Sequence, residues 1–207
     1  HILGPIDMEL GATGFTIVLG PNGSGKTTLL KVLHGVERLS AGQVTWSVTD
    51  RDAREAQAYV FQKPIMLRRS VRQNLAYPLQ LLKVKKPKVE ERVIDWARRI
   101  GLANALDRPA ARISGGEQQK LALARALIRD PQVLFLDEPC ANLDGRATRE
   151  IEDLLLASSA SGTRIIMTTH DMGQARRLAT DVVFLLNGKL VEQSKAETFF
   201  AGPQASE

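Results

Sequence analysis

Eight residues constrain this chain more than any others. Residues 20–27 read GPNGSGKT, follow a short apolar run at 15–19 and open onto a helical pattern at 26–34 closed by Gly35. A strand, a glycine-rich turn and a helix in that order make a phosphate-binding loop. Gly20, Gly23 and Gly25 let backbone amides turn inward around phosphate oxygens, and the helix start adds its partial positive charge. Asn22, Ser24 and Thr28 belong to the same binding stretch. Lys26 reaches the terminal phosphates, and the Thr27 hydroxyl suits Mg²⁺. A chance Lys-Thr after a glycine-rich turn would not explain both the strand before it and the helix after it.

A second apolar run, 133–136, ends in Asp137 and Glu138. Such a strand is buried, so its acids emerge at the sheet edge where the phosphate loop also lies. Asp137 suits a metal, and Glu138 suits general-base work on an attacking water. Alone, this run also reads, less readily, as a strand followed by a helix N-cap. Beside the phosphate loop it implies a P-loop NTPase.

The rest of the chain fits that core. Further strands are expected at 43–48, 58–61, 164–168 and 182–186, with a last one after the Asn187-Gly188 turn. Helices are expected at 145–158 and 171–178, and Ser194 with Glu197 suggests a capping box for a terminal helix. Alternating strands and helices imply a parallel sheet covered on both faces, here with an antiparallel β part. Between about 62 and 131 the pattern turns helical. Ser70 caps one helix, a Lys- and Pro-rich connector spans 83–88, Val89, Val93, Trp96 and Ile100 mark a second, and 116–129 forms a third. The expected organisation is one α/β domain of 207 residues, with 1–61 and 132–207 as the catalytic core and 62–131 as an inserted α-helical subdomain.

Composition narrows the class. No apolar run approaches the roughly 20 residues of a membrane-spanning helix. A single cysteine, Cys140, fits a reducing compartment. The N-terminal stretch lacks the basic start of a signal peptide. Net charge is +5, but residues 62–131 hold 16 Lys and Arg against 6 Asp and Glu. That excess reads as a solvated basic face, an anionic membrane surface or a nucleic-acid patch.

Ser114, Gly115, Gly116, Glu117 and Gln118 narrow the family. This stretch resembles the signature motif of ABC proteins, with Ile113 and Lys120 where Leu and Arg are usual. Other motifs fall in ABC order: Gln62 resembles the Q-loop glutamine, Asn142-Leu143-Asp144 the D-loop, and His170 the switch histidine. The resemblance covers essentially the whole chain. It implies a subunit that binds and hydrolyses ATP with Mg²⁺, held by Thr27, Gln62 and Asp137. Glu138, His170 and Gln62 are the catalytic residues it implies, with Ser114, Gly115, Gly116, Gln118 and Asp144 serving a partner's nucleotide. It further implies a head-to-tail homodimer around two ATP.

Cys140 stands where Thr or Ser is common and is expected to be a small buried residue. The family stacks an aromatic side chain on adenine; counting back places it at or before His1, and residues 1–14 contain no Tyr, Trp or Phe. A preceding N-terminal segment is therefore expected.

The interval from Lys26 to Ser114 is too short for the coiled coil of chromosome-structure ATPases. One nucleotide domain argues against the translation-factor branch, and the lack of a span against a fused exporter. An importer subunit is expected, peripheral on the cytoplasmic face of the inner membrane and lacking a C-terminal regulatory domain. It would dock on a permease through residues 62–74 and be served indirectly by a solute-binding protein, with an oxyanion such as tungstate or molybdate as cargo. In that segment Ile65, Met66 and Leu67 form an apolar trio, and Arg68, Arg69 and Arg72 are available to acidic groups. The alternative is a soluble ABC ATPase of an assembly machine, such as that for iron–sulfur clusters; nucleic acid is a weaker third partner.

Overall fold

The computed structural model describes residues 3–202. In chain order it runs β1 (Phe15–Leu19), α1 (Lys26–His34), α2 (Asp50–Ala56), β2 (Gln57–Val60), α3 (Val71–Leu81), α4 (Lys86–Arg99) and α5 (Gly115–Leu127). It continues with β3 (Val133–Asp137), α6 (Gly145–Ala160), β4 (Arg164–Thr168), α7 (Met172–Leu178), β5 (Asp181–Leu186), β6 (Lys189–Lys195) and α8 (Ala196–Ala201). Six strands form one sheet in the order β2-β3-β4-β1-β5-β6. All neighbours are parallel except β5 and β6.

The inner strands are short and largely apolar because both faces are covered, whereas β6 at the edge is polar and alternately exposed. Leu134 and Leu136 of β3 face one core, and Phe135 between them faces the other. Ile165, Ile166 and Met167 of β4 divide the same way. This is the period-two alternation of a strand, with apolar residues on both sides. On one face lie Leu29 and Leu30 of α1; on the other lie α5, α6 and α7, through residues such as Leu121, Ile151 and Leu178. The strand order brings the C-terminal ends of β1, β3 and β4 side by side.

Between β2 and β3 the chain is helical, as expected. Ser70 caps α3 with a full capping box to Gln73, and Gly101 takes a left-handed φ of 72° after α4. Val89, Val93, Trp96 and Ile100 are buried together.

Three details differ from expectation. Residues 43–48 are not a strand: their alternation finds no partner strand, and Trp46 instead packs beside α1. Next comes α2, a polar helix whose one buried residue is Ala53; the Thr49 hydroxyl accepts the Asp52 N–H and starts it. Lacking an apolar stripe, it gives no periodic signal. The expected Ser194–Glu197 capping box does not form, because β6 continues through Lys195, which pairs with Asp181 at 2.7 Å. The Ser194 hydroxyl donates to Glu192 instead.

Candidate active site

The turn before α1 depends on its glycines. Gly20 has φ 152°, and a Cβ there would lie 2.3 Å from the Leu185 carbonyl oxygen. Gly25 is the N-cap of α1 at φ 98°, a left-handed conformation that suits glycine. No side chain caps this helix and its first turn carries no acid. Its leading N–H groups have no intrahelical acceptor by geometry.

Lys26 is 5% exposed, and its ammonium donates to the carbonyls of Gly20 (2.8 Å) and Pro21 (3.1 Å). It also lies 3.6 Å from Glu138 Oε1. Beside it the Thr27 hydroxyl donates to Asp137 Oδ1 at 2.9 Å. Asp137 accepts a second bond from the Thr168 hydroxyl at 2.9 Å, which ties the ends of β3 and β4 together. Glu138 takes a left-handed φ of 43°. Its N–H donates to Thr168 Oγ1 at 2.9 Å, which holds this strained residue in place. Its carboxylate lies 3.1 Å from His170 Nδ1.

Lys26, Thr27, Glu138 and His170 border one cleft of about 690 Å³. Of the expected site residues, Asn22, Gly23, Gly25, Lys26, Thr27, Thr28, Gln62, Glu138 and His170 line it. Gly20, Ser24 and Asp137 support it from behind, the last two almost fully buried.

Ser114, Gly115, Gly116 and Gln118 do not line the cleft. Ser114 is the N-cap of α5, its side chain accepting the Glu117 N–H while Glu117 returns to the Ser114 N–H. Those bonds hold the Glu117 carboxyl below the usual carboxylate range. Asp144 likewise caps α6, accepting the Ala147 N–H at 2.8 Å. A Cβ on Gly116 would lie 3.4 Å from that of Ala147, so the starts of α5 and α6 are neighbours.

Two groups escaped sequence reading. Asn74 on α3 is fully buried. It accepts from the Leu67 N–H (3.1 Å) and from Arg125 of α5 (3.0 Å), while Arg125 also donates to the Ile65 carbonyl at 2.6 Å. Together they pin the segment after Gln62 onto two helices. Within that segment Ile65 is 60% exposed, whereas Met66 packs against the core. Arg72 is not free: it pairs with Glu90 and with Asp107. The second group is Glu152 on α6, buried, which accepts from Gln174 (3.1 Å) and Arg177 (2.9 and 2.7 Å) on α7. An Asn and a Glu inside amphipathic helices give no sign in sequence of the partners they meet. Burial pushes the Cys140 thiol up to about 11, as befits a small, mostly covered residue.

Comparison with known proteins decides the family. The ABC transporter family's sequence profile matches residues 3–141. This chain belongs to the ABC transporter family. It is an ATPase of that family. It is 40% identical to the tungstate uptake system ATP-binding protein TupC of Peptoclostridium acidaminophilum, over 89% of this chain and 86% of the relative. It is 34% identical to the glutamate/aspartate import ATP-binding protein GltL of Escherichia coli K12, over 99% and 89%. Among solved structures, cbiO1 of Clostridium perfringens, part of the transporter complex cbiONQ, superposes with a TM-score of 0.86. The identity is 29%, over 97% of this chain and 84% of that one.

Proposed function

We propose that this ABC ATPase powers an importer, cleaving ATP in a site that two copies of the chain complete together. The observation that carries it is the meeting of Lys26, Thr27, Asp137, Glu138 and His170 at one cleft. Amides of residues 23–28 and the Lys26 ammonium hold the phosphates. Glu138 accepts a proton from the attacking water. His170 and Gln62 border the same cleft and orient the carboxylate and the water.

The oxygens of Thr27 and Asp137 are hard donors already 2.9 Å apart. Among the described residues no cluster of three or more His, Cys, Asp or Glu is placed to hold a metal. A cation here would draw most of its ligands from phosphate, water and Gln62, the pattern that suits Mg²⁺. Bound there, Mg²⁺ would neutralise charge developing on the phosphates.

The second half of the site is the start of α5. Ser114, Gly115, Gly116 and Gln118, with Asp144 on the neighbouring helix start, lie outside the chain's own cleft and serve the partner's nucleotide. We take 62–131 as a helical subdomain moving against the core of 1–61 and 132–207. Residues 62–74 dock on the permease: Gln62 borders the nucleotide, Ile65, Arg68 and Arg69 are exposed, and Asn74 holds the strip to α3 and α5. Among the described residues no helix is long and apolar enough to cross a membrane. We take the chain as a peripheral subunit on the cytoplasmic face, as its importer-type relatives suggest. The uptake and import relatives favour an importer over an assembly-machine ATPase. The higher identity to the tungstate subunit supports an oxyanion as cargo, delivered by a solute-binding protein.

Glu138→Gln tests the chemistry. Hydrolysis should slow about 10²–10⁴-fold, the usual worth of a positioned base. Equilibrium ATP binding should be retained and an ATP-bound dimer should accumulate in size-exclusion chromatography. Wild-type turnover in this variant would remove Glu138 from the role of base.

A further inference from the structure

The positive charge of residues 62–131 divides into two kinds. Much of the arginine is committed within the fold. Arg72 pairs with Glu90 and Asp107, Arg92 with Asp130 and Arg99 with Asp95. Arg125 and Arg129 donate to the carbonyls of Ile65 and Glu55. The lysines at the corner between α3 and α4 differ. Lys83, Lys85, Lys86 and Lys88 are exposed. Among the described residues none of the four forms an ion pair.

Two independent features mark the same corner. Leu81 and Leu82, at the end of α3, are 65% and 57% exposed, an adjacent apolar pair in water. At the start of α4, Lys85 is the N-cap, Lys86 and Lys88 follow, and the first turn carries no acid. Cations at a helix N-terminus oppose its dipole, so the fold alone disfavours this placement. Glu90, the acid of the next turn, is drawn away by Arg72, and Glu91 pairs with none of the lysines.

We propose that residues 81–88 form a docking surface for an anionic lipid bilayer. The four ammonium groups sit among lipid phosphates and acidic headgroups, while Leu81 and Leu82 enter the boundary between headgroups and acyl chains. Charge complementarity carries the choice of occupant. Elsewhere in 62–131 the cations that meet carboxylates are Arg72, Arg92, Arg99 and one lysine, Lys120, each held against a particular acid. At the corner the chain uses ammonium groups on flexible stems, which suit a diffuse field of anions better than a shaped acidic site. A basic cluster beside exposed leucines matches the composition of an interfacial anchor.

The test uses the whole chain and two vesicle types, pure phosphatidylcholine and phosphatidylcholine with phosphatidylglycerol at about one lipid in three. In co-sedimentation the chain should partition onto the anionic vesicles and be released by high salt. Replacing all four lysines by Gln should weaken that partitioning on the order of 10³-fold, about fivefold per lysine. Leu81→Ser with Leu82→Ser should weaken the low-salt partitioning without changing its dependence on salt. Basal ATPase activity should be unchanged in both variants, which separates this surface from the catalytic reading and reports folding. Equal binding to both vesicle types, or full binding by the lysine variant, would overturn the proposal. So would a lysine variant that binds vesicles normally but loses stimulation by a permease in detergent, which would make the occupant an acidic protein segment. A salt-sensitive shift with RNA or DNA and none with vesicles would overturn it in favour of nucleic acid.

Discussion

Helices α1 and α5 begin just after, or with, a glycine that follows a turn, and their first amides meet different fates. At the start of α1 no side chain supplies a cap, and a buried lysine stands beside the turn. At the start of α5 the chain supplies its own cap twice over, through Ser114 and Glu117. The first start borders the cleft with two carboxylates and a histidine; the second lies outside it. Both carry the dipole and the small residues that favour phosphate. Only the first is surrounded, within one chain, by groups that can do chemistry. Similar local sequence thus yields one helix start bordered by reactive groups and one that caps itself outside the cleft.

Matched substitutions sharpen that contrast. Lys26→Ala removes the cation of the built start and should weaken ATP binding by ~10²–10³-fold in titration calorimetry, the range for losing one partner of a buried charged contact. Ser114→Ala should leave binding to the isolated monomer unchanged and cost only ~1 kcal/mol of stability, as for an N-cap. Equal losses of affinity from the two changes would erase the distinction.

The next effect concerns the strip between the two regions. Asn74→Ala leaves the Leu67 N–H and one Arg125 donor without their acceptor, at ~1–3 kcal/mol in chemical denaturation. Nucleotide binding should persist, because Asn74 touches no part of the cleft.

A pH-dependent effect concerns Glu152, whose carboxyl is held below the ordinary range chiefly by its hydrogen bond from Arg177. A carboxylate with a depressed pKa in the fold adds stability that is present above its unfolded value and lost as pH falls through the folded one. Glu152→Gln should therefore cost ~1–2 kcal/mol at neutral pH, and the difference from wild type should shrink below about pH 4. A pH-independent difference would point to packing instead.

What the sequence revealed follows from where each signal originates. The phosphate loop, the Asp137–Glu138 strand end and β4 are local patterns, and all three lie where their spacing put them. β1 and β4 are buried, largely apolar runs because both sheet faces are covered there, so 15–19 and 164–168 could be bounded without error. Residues 43–48 misled because alternation marks a strand only where another strand is present to pair with it. Helix α2 was invisible because its start depends on one Thr49 hydroxyl rather than on an apolar stripe. Arg72 and Met66 were expected to face a partner and instead face their own subdomain, through Glu90, Asp107 and core contacts that no short window of sequence contains. Asn74 and Glu152 are long-range partners of the same kind.

Complementation between two inactive variants tests the shared site most directly. Lys26→Ala disables the built start, and Ser114→Arg places a bulky cation at the other. Each variant homodimer should lack a working site. A mixed dimer pairing one of each keeps one of the two sites of a two-fold dimer intact, a wild-type phosphate loop facing a wild-type α5 start, so ATPase activity should return to roughly half that of wild type in the mixed species. If mixed dimers form, as shown by tagged pull-down, and no activity returns at any ratio, then the start of α5 does not complete a partner's site and head-to-tail pairing is wrong.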